Sequence, residues 1–172
     1  TGLGPVTLRK LAGSLPSSLK SFALGRDMYN VSTIGDEAII NLLEAIKDIG
    51  LTSLDIAQTG CGVGATTTLA KLLSEETKFR AAIARLTINS TGKPAIDPDD
   101  LFASMEAMLM DEEDDKTFTY TLALGDQLID LTSKQLGPAD ITLIGAWLAR
   151  PGTVVTQLTL SGNAITDFGE DL

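Results

Sequence analysis

The chain has 172 residues and a formal net charge of −10, from 13 basic and 23 acidic side chains. It contains no histidine and one cysteine, Cys61, which excludes Ser-His-Asp and Cys-His catalysis, histidine-ligated zinc and an internal disulfide framework. Clustered Lys and Arg are what phosphate backbones bind, so the acidic balance makes nucleic acid a poor partner.

The length fits one domain with a real core, and 44% hydrophobic residues with a mean hydropathy of +0.18 describe a folded chain. Aromatics are only 5%, so that core is aliphatic. No apolar run is long enough to span a bilayer, and no transmembrane segment is expected. The lone cysteine fits a reducing, intracellular compartment, cytoplasmic or organellar, rather than a secreted one.

Taken in chain order, one pattern recurs. Leu19, Phe22 and Leu24 form an apolar-x-x-apolar-x-apolar motif that reads as a short strand with one buried face. Ala38, Ile39, Leu42, Leu43 and Ile46 follow at helical spacing, with Asp36 and Glu37 after Gly35 as first-turn acids that suit a helix N-terminus. The motif returns at Leu51, Leu54 and Ile56, followed by the helical Leu69, Leu72 and Leu73. It returns again at Ile83, Leu86 and Ile88, followed by Leu101, Met105 and Met108, with Asp97, Asp99 and Asp100 ahead of them as capping residues. The run Asp111–Asp115 reads as a solvated insertion. A weaker copy has Leu122 and Leu124 with Thr119 in the first slot, followed by Ile141, Ile144 and Leu148; Trp147 falls on that helix and reads as packing. Val155, Leu158 and Leu160 carry the last copy. The motifs end at residues 24, 56, 88, 124 and 160, spaced by 32, 32, 36 and 36. Strand, turn and helix make a unit that cannot bury its own apolar face, so such units are expected to stack with a parallel sheet on one side and helices on the other.

The run Val155-Thr156-Gln157-Leu158-Thr159-Leu160-Ser161-Gly162-Asn163-Ala164-Ile165 resembles a leucine-rich repeat of the ribonuclease-inhibitor type. The resemblance implies that the Asn163 amide bonds backbone groups in its turn; Ile165 and Gly169 match the apolar and glycine positions that follow. Thr59, Asp27 and Gln127 stand in the asparagine slot of other units, and Cys61 takes the apolar slot after Thr59. The implied architecture is α/β: a leucine-rich-repeat solenoid, a curved horseshoe segment with parallel strands on the concave side and helices on the convex side. A single domain over residues 1–172 would hold about five strand-turn-helix units. Thr1–Leu8 resembles Lys134–Ile141, so incomplete repeats are expected at both ends, covered by further chain or by a protein partner.

The sharpest chemical motif is Asp55-Ile56-Ala57-Gln58-Thr59-Gly60-Cys61-Gly62-Val63-Gly64. Glycines after an apolar strand and an acid resemble the cofactor loop of S-adenosylmethionine methyltransferases. Ala57, Gln58 and Thr59 intervene between the strand and the first glycine, and no lysine follows as a phosphate loop needs, so a turn between repeats accounts for the same residues. Asn89-Ser90-Thr91 is a glycosylation sequon that matters only in a secreted chain. No catalytic residue, cofactor or metal ligand is assigned; Cys61 reads as a buried filler with no base beside it.

In this architecture the outward strand positions line the concave face: Ser21, Ala23, Gly25, Ser53, Asp55, Ala57, Arg85, Thr87, Asn89, Gln157, Thr159 and Ser161. The site residues expected to meet a protein partner are Ser21, Ala23, Ser53, Asp55, Arg85, Thr87, Asn89, Gln157 and Thr159. Only Arg85 belongs to the residue types that dominate interface energetics. The long turn near Tyr29 and Asn30 and the open ends are other binding surfaces. The functional expectation is a non-catalytic protein-binding scaffold or accessory subunit of a larger assembly. Alternatives are a methyltransferase using Gly60–Gly64, an inhibitor or regulator of a basic enzyme, and an accessory subunit of an organellar, photosynthetic membrane complex, which the Asp130–Gly137 run allows by resemblance to repeats of large algal and protist proteins.

Overall fold

A computed structural model describes residues 4–24, 34–92, 118–163 and 165. Gly25, Asp27, Tyr29, Asn30, the Asp97–Asp100 caps, Leu101, Met105, Met108, the acidic run Asp111–Asp115 and Gly169 lie outside them. The described elements, in chain order, are α1 (Pro5–Ala12), β1 (Ser21–Ala23), α2 (Asp36–Ile46), β2 (Ser53–Asp55), α3 (Val63–Ser74), α4 (Lys78–Ala82), β3 (Arg85–Asn89), β4 (Thr119–Ala123), β5 (Leu128–Asp130), α5 (Pro138–Leu148) and β6 (Gln157–Thr159). The fold is α/β, with one mixed four-stranded sheet and one two-stranded sheet.

The helices form where three- and four-residue apolar spacing meets a start signal. α1 and α5 each begin with Gly-Pro, the proline sitting where its missing N–H is not needed. α2 buries Ala38, Ile39, Leu42, Leu43 and Ile46, and α3 buries Leu69, Leu72 and Leu73. α1 packs on α2, α2 on α3, and α3 on α5. The strands alternate as a half-buried sheet should. The inner rows Phe22-Leu54-Leu86-Leu122 and Ile88-Tyr120 meet the helix layer, with only Phe22 partly exposed.

The 32-residue spacing of the first three motifs is the register of the sheet. Ser21 pairs with Ser53, and Ser53 with Arg85, in parallel. The stack expected beyond that point is not there. β4 lies antiparallel on β3, with Thr119 opposite Asn89 and Ala123 opposite Arg85, and among the described residues β4 is the last strand of this sheet. β5, which the apolar pattern did not single out, pairs in parallel with β6 as a separate sheet, Leu128 against Gln157. The leucine-rich-repeat horseshoe with all strands parallel is therefore corrected to a mixed sheet plus a two-stranded one. The physical reason lies in the pattern itself: alternation has a period of two and no direction, so Thr119, Leu122 and Leu124 read the same whichever way the strand runs.

Two turns are held by half-buried polar groups. Asn163 accepts from the N–H groups of Lys134 and Leu136, at 2.9 and 3.1 Å, and donates to the carbonyls of Leu131 and Leu160, both at 2.8 Å. Gly92 donates to Gln135 O at 2.8 Å, and a Cβ on Gly92 would overlap the Gln135 backbone, so glycine is required there.

Candidate functional site: the open sheet face and the polar clusters beneath it

The face of the four-stranded sheet away from the helices carries two in-register rows. One is Ser21, Ser53, Arg85 and Ala123; the other is Ala23, Asp55, Thr87 and Thr121. All eight are exposed or half-buried. Thr87 and Thr121 share a 2.9 Å hydroxyl hydrogen bond across the β3–β4 pair, and Asp55 Oδ1 accepts from its own strand end, Ala57 N, at 3.0 Å. The structure thus brings Ser21, Ala23, Ser53, Asp55, Arg85 and Thr87 together. Thr121 and Ala123 join them because β4 docks on β3, and no local signal marked them for this face.

Three residues assigned to the same face behave differently. Asn89 is buried, and its Oδ1 accepts from Gln58 N at 2.7 Å, so it tethers the turn after β2 and meets no partner. The same burial closes the Asn89-Ser90-Thr91 sequon. Gln157 and Thr159 sit on β6, in the other sheet, opposite Leu128 and Asp130. Strand-end geometry and the break between the sheets decide both outcomes.

The glycine loop is filled from within the chain. The Asp36 carboxylate accepts from Gly62 N at 2.9 Å and Ala65 N at 2.7 Å through Oδ1, and from Gly64 N at 3.0 Å through Oδ2. Asp36 opens α2, yet it satisfies the free N–H groups that start α3. A Cβ on Gly64 would overlap Asp36 Oδ2, which is why the third glycine is there. An anionic cofactor group would have to displace this carboxylate. Replacing Asp36 with alanine is expected to destabilise the fold by about 2–4 kcal/mol, since three bonds to a charged acceptor are lost. Gly64→Ala should do the same by pushing the carboxylate out. Urea denaturation measures both, and a change below about 0.5 kcal/mol in either variant, the size of a typical surface substitution, would remove the clasp from this account.

A second carboxylate lies deeper. Asp140 is fully buried on α5 and accepts from Thr91 N (2.8 Å), Thr91 Oγ1 (2.7 Å), Gly137 N (2.8 Å) and Tyr120 OH (2.8 Å). It ties the end of β3, the start of β4 and the start of α5 to one point. The sequence did hold a signal: Asp140, Leu143, Ile144 and Trp147 share one helical stripe, so Asp140 falls on the buried face and needs partners. Cys61 is buried nearby, and burial, with Asp36 and Asp140 adding negative charge, pushes its thiol up to about 12. At neutral pH it is protonated and is no nucleophile. Burial and then the Asp140 charge also push the Tyr120 phenol up.

A cleft of about 450 Å³ opens between the starts of α1 and α2, lined by Pro5, Val6, Arg9, Ile34, Glu37 and Asn41 among others. Among the described residues no cluster of three His, Cys, Asp or Glu side chains could hold a metal ion. Among them too, no helix is long and apolar enough to cross a membrane.

No family model, curated protein or solved structure matches this chain. Its function is therefore argued from its own geometry.

Proposed function

We propose that this chain is a non-catalytic protein-binding module that docks a protein partner on the open face of its four-stranded sheet, as an accessory part of a larger assembly. One contrast carries the reading. The acids and the thiol in the interior are consumed by internal bonds or held protonated, whereas the eight in-register side chains of the sheet face are exposed or half-buried. Four strands span about 15 Å. The face would thus form the centre of a standard interface of about 800 Å² per partner, not all of it. Arg85 is the anchor: it is exposed, and arginine belongs to the residues that dominate hot spots, unlike the serines and threonines around it. The net charge of −10 favours a neutral or basic partner surface, which keeps regulation of a basic enzyme as the second reading. The Asp36 carboxylate in the glycine loop counts against the methyltransferase reading.

Photo-crosslinking tests the proposal. A crosslinking residue placed at Ser53 or Ser21 should capture a defined protein from the native source, whereas one at Glu76, on the helix side, should not. Arg85→Glu should weaken binding of that protein by about tenfold or more without changing stability. Capture only from position 76, or an affinity unchanged by Arg85→Glu, would move the binding surface elsewhere.

A further inference from the structure

Arg150, just after α5, is only 5% exposed. Its guanidinium lies over the Trp147 ring, 4.6 Å from the centroid. Through Nη2 it donates to the carbonyls of Arg80 and Ile83, each at 2.6 Å, at the C-terminal end of α4. Those carbonyls carry only the partial negative charge of a short helix end. Arg150 Nε and Nη1 are buried and bonded to nothing, and so are Arg80 Nε and Trp147 Nε1. All four orphans are donors, on residues that meet around α4, where the Arg150 guanidinium lies against the Arg80 backbone and within reach of the Arg80 charge. Among the described residues no carboxylate lies within ion-pair distance of either arginine; the ion pairs there are Lys47–Glu44 and Lys71–Glu75. Burial lowers the Arg150 pKa, and the Arg80 charge lowers it further. A buried cation of this kind is ordinarily paired with an anion, and its remaining N–H groups with acceptors.

The surroundings point the same way. Lys20 Nζ reaches Gly50 O at 3.4 Å, and a Cβ on Gly50 would touch both that Nζ and Ala82 of α4. Phe79 N donates to Lys47 O at 3.1 Å, and Lys78 is exposed beside it. Lys20 and Lys47 thus lie on segments that adjoin α4, which itself begins at Lys78, Lys47 being paired with Glu44, in a molecule of net charge −10.

We infer that the Arg80–Arg150 pair is a binding site for an oxyanion, a group with two acceptor oxygens that engages the orphan guanidinium N–H groups. The planar fork of arginine matches such a group with two parallel bonds. The orphan atoms are closed to water, so engaging them requires the half-buried Arg80 side chain to move aside. The oxyanion comes either as a free ion or as the carboxylate of a bound acidic segment. This site is separate from the sheet face and stands or falls independently of it.

Trp147 is the chain's one tryptophan and stacks on Arg150, so its fluorescence reads the site directly. Inorganic phosphate is titrated into the full chain against sodium chloride of matched ionic strength, and a six-residue glutamate peptide is titrated in parallel. The expected result is a saturable change with phosphate, half-complete on the order of 1 mM, and weakened about tenfold or more in Arg80→Met. A response to the peptide but not to phosphate keeps the site and assigns it to a carboxylate on a chain. Circular dichroism checks that Arg80→Met is folded. If neither anion differs from chloride, or if folded Arg80→Met responds as the parent does, the inference fails.

Discussion

Replacing Asp140 with alanine lowers the unfolding free energy by about 3–5 kcal/mol, the largest single-residue effect expected in this protein. The carboxylate is fully buried and accepts four hydrogen bonds, from Thr91 N, Thr91 Oγ1, Gly137 N and Tyr120 OH. Alanine leaves those donors without an acceptor at a fully buried position. Each orphaned buried group costs about 1–3 kcal/mol, and water entering the space left behind recovers part of the sum. For a chain of this length the loss corresponds to a drop in Tm of roughly 10 °C. Asn at the same position is the milder test, because it keeps one oxygen but turns an NH₂ toward donors. Tyr120→Phe removes one donor and should cost about 1 kcal/mol by itself but almost nothing in the Asp140→Ala background, since the bond is already gone. Urea denaturation of the two single variants and the double variant supplies the numbers. Additive effects, or an Asp140→Ala loss below about 1 kcal/mol, less than one buried orphan group costs, would mean that this carboxylate does not hold β3, β4 and α5 together.

The second large effect is alkaline. Cys61 has its thiol raised from 9.0 to about 12, chiefly by burial, and Tyr120 is raised above 10.0 by burial and by Asp140. Both are neutral acids whose folded forms hold the proton more tightly than the unfolded chain. Their stabilising contribution is fully present below the unfolded values and is lost as pH rises toward the folded ones. Stability should fall by about 1.4 kcal/mol per pH unit above pH 9 from Cys61, reaching about 4 kcal/mol by pH 12. Tyr120 should add an equal slope above pH 10. Urea midpoints measured from pH 8 to 11 trace the decline. Cys61→Ala should flatten the stretch between pH 9 and 10 whatever it does to stability at pH 7. An unchanged slope in that variant would show that other groups drive the decline. The same protonation makes the thiol inert toward disulfide reagents at pH 8 until the fold opens.

These two results concern the scaffold, and the proposed face depends on it. Thr121 and Ala123 reach the open face only because β4 lies on β3, and Tyr120 on the opposite side of β4 is bonded to Asp140. A variant that releases Tyr120 should therefore loosen the outer rows as well. Binding through Arg85, on the neighbouring strand, is the readout that links interior to surface.

The chain order of apolar residues determined much of this molecule. Spacing of three and four residues identified the buried sides of α2 and α3, and alternation identified β1, β2 and β3 with their 32-residue register. The missing histidine and single cysteine remove whole classes of chemistry by composition alone. Those signals are local, repeating within a few residues, and burial of an apolar face obliges them. What only the tertiary structure decided is directional or distant. Alternation could not tell that β4 runs against β3, and so an expected horseshoe became a mixed sheet with a separate pair of strands. Asp36 read as an acid for its own helix, yet it closes the start of α3 across 26 residues of chain. Asp140 meets Thr91 across 49 residues and Tyr120 across 20. A carboxylate's partners leave no periodic trace, because hydrogen bonds are satisfied by whatever donors the fold brings within 3 Å. Of the nine outward strand positions expected to share a face, Ser21, Ala23, Ser53, Asp55, Arg85 and Thr87 do so. Asn89 went inside, Gln157 and Thr159 went to the other sheet, and the pairing of β4 brought Thr121 and Ala123 in.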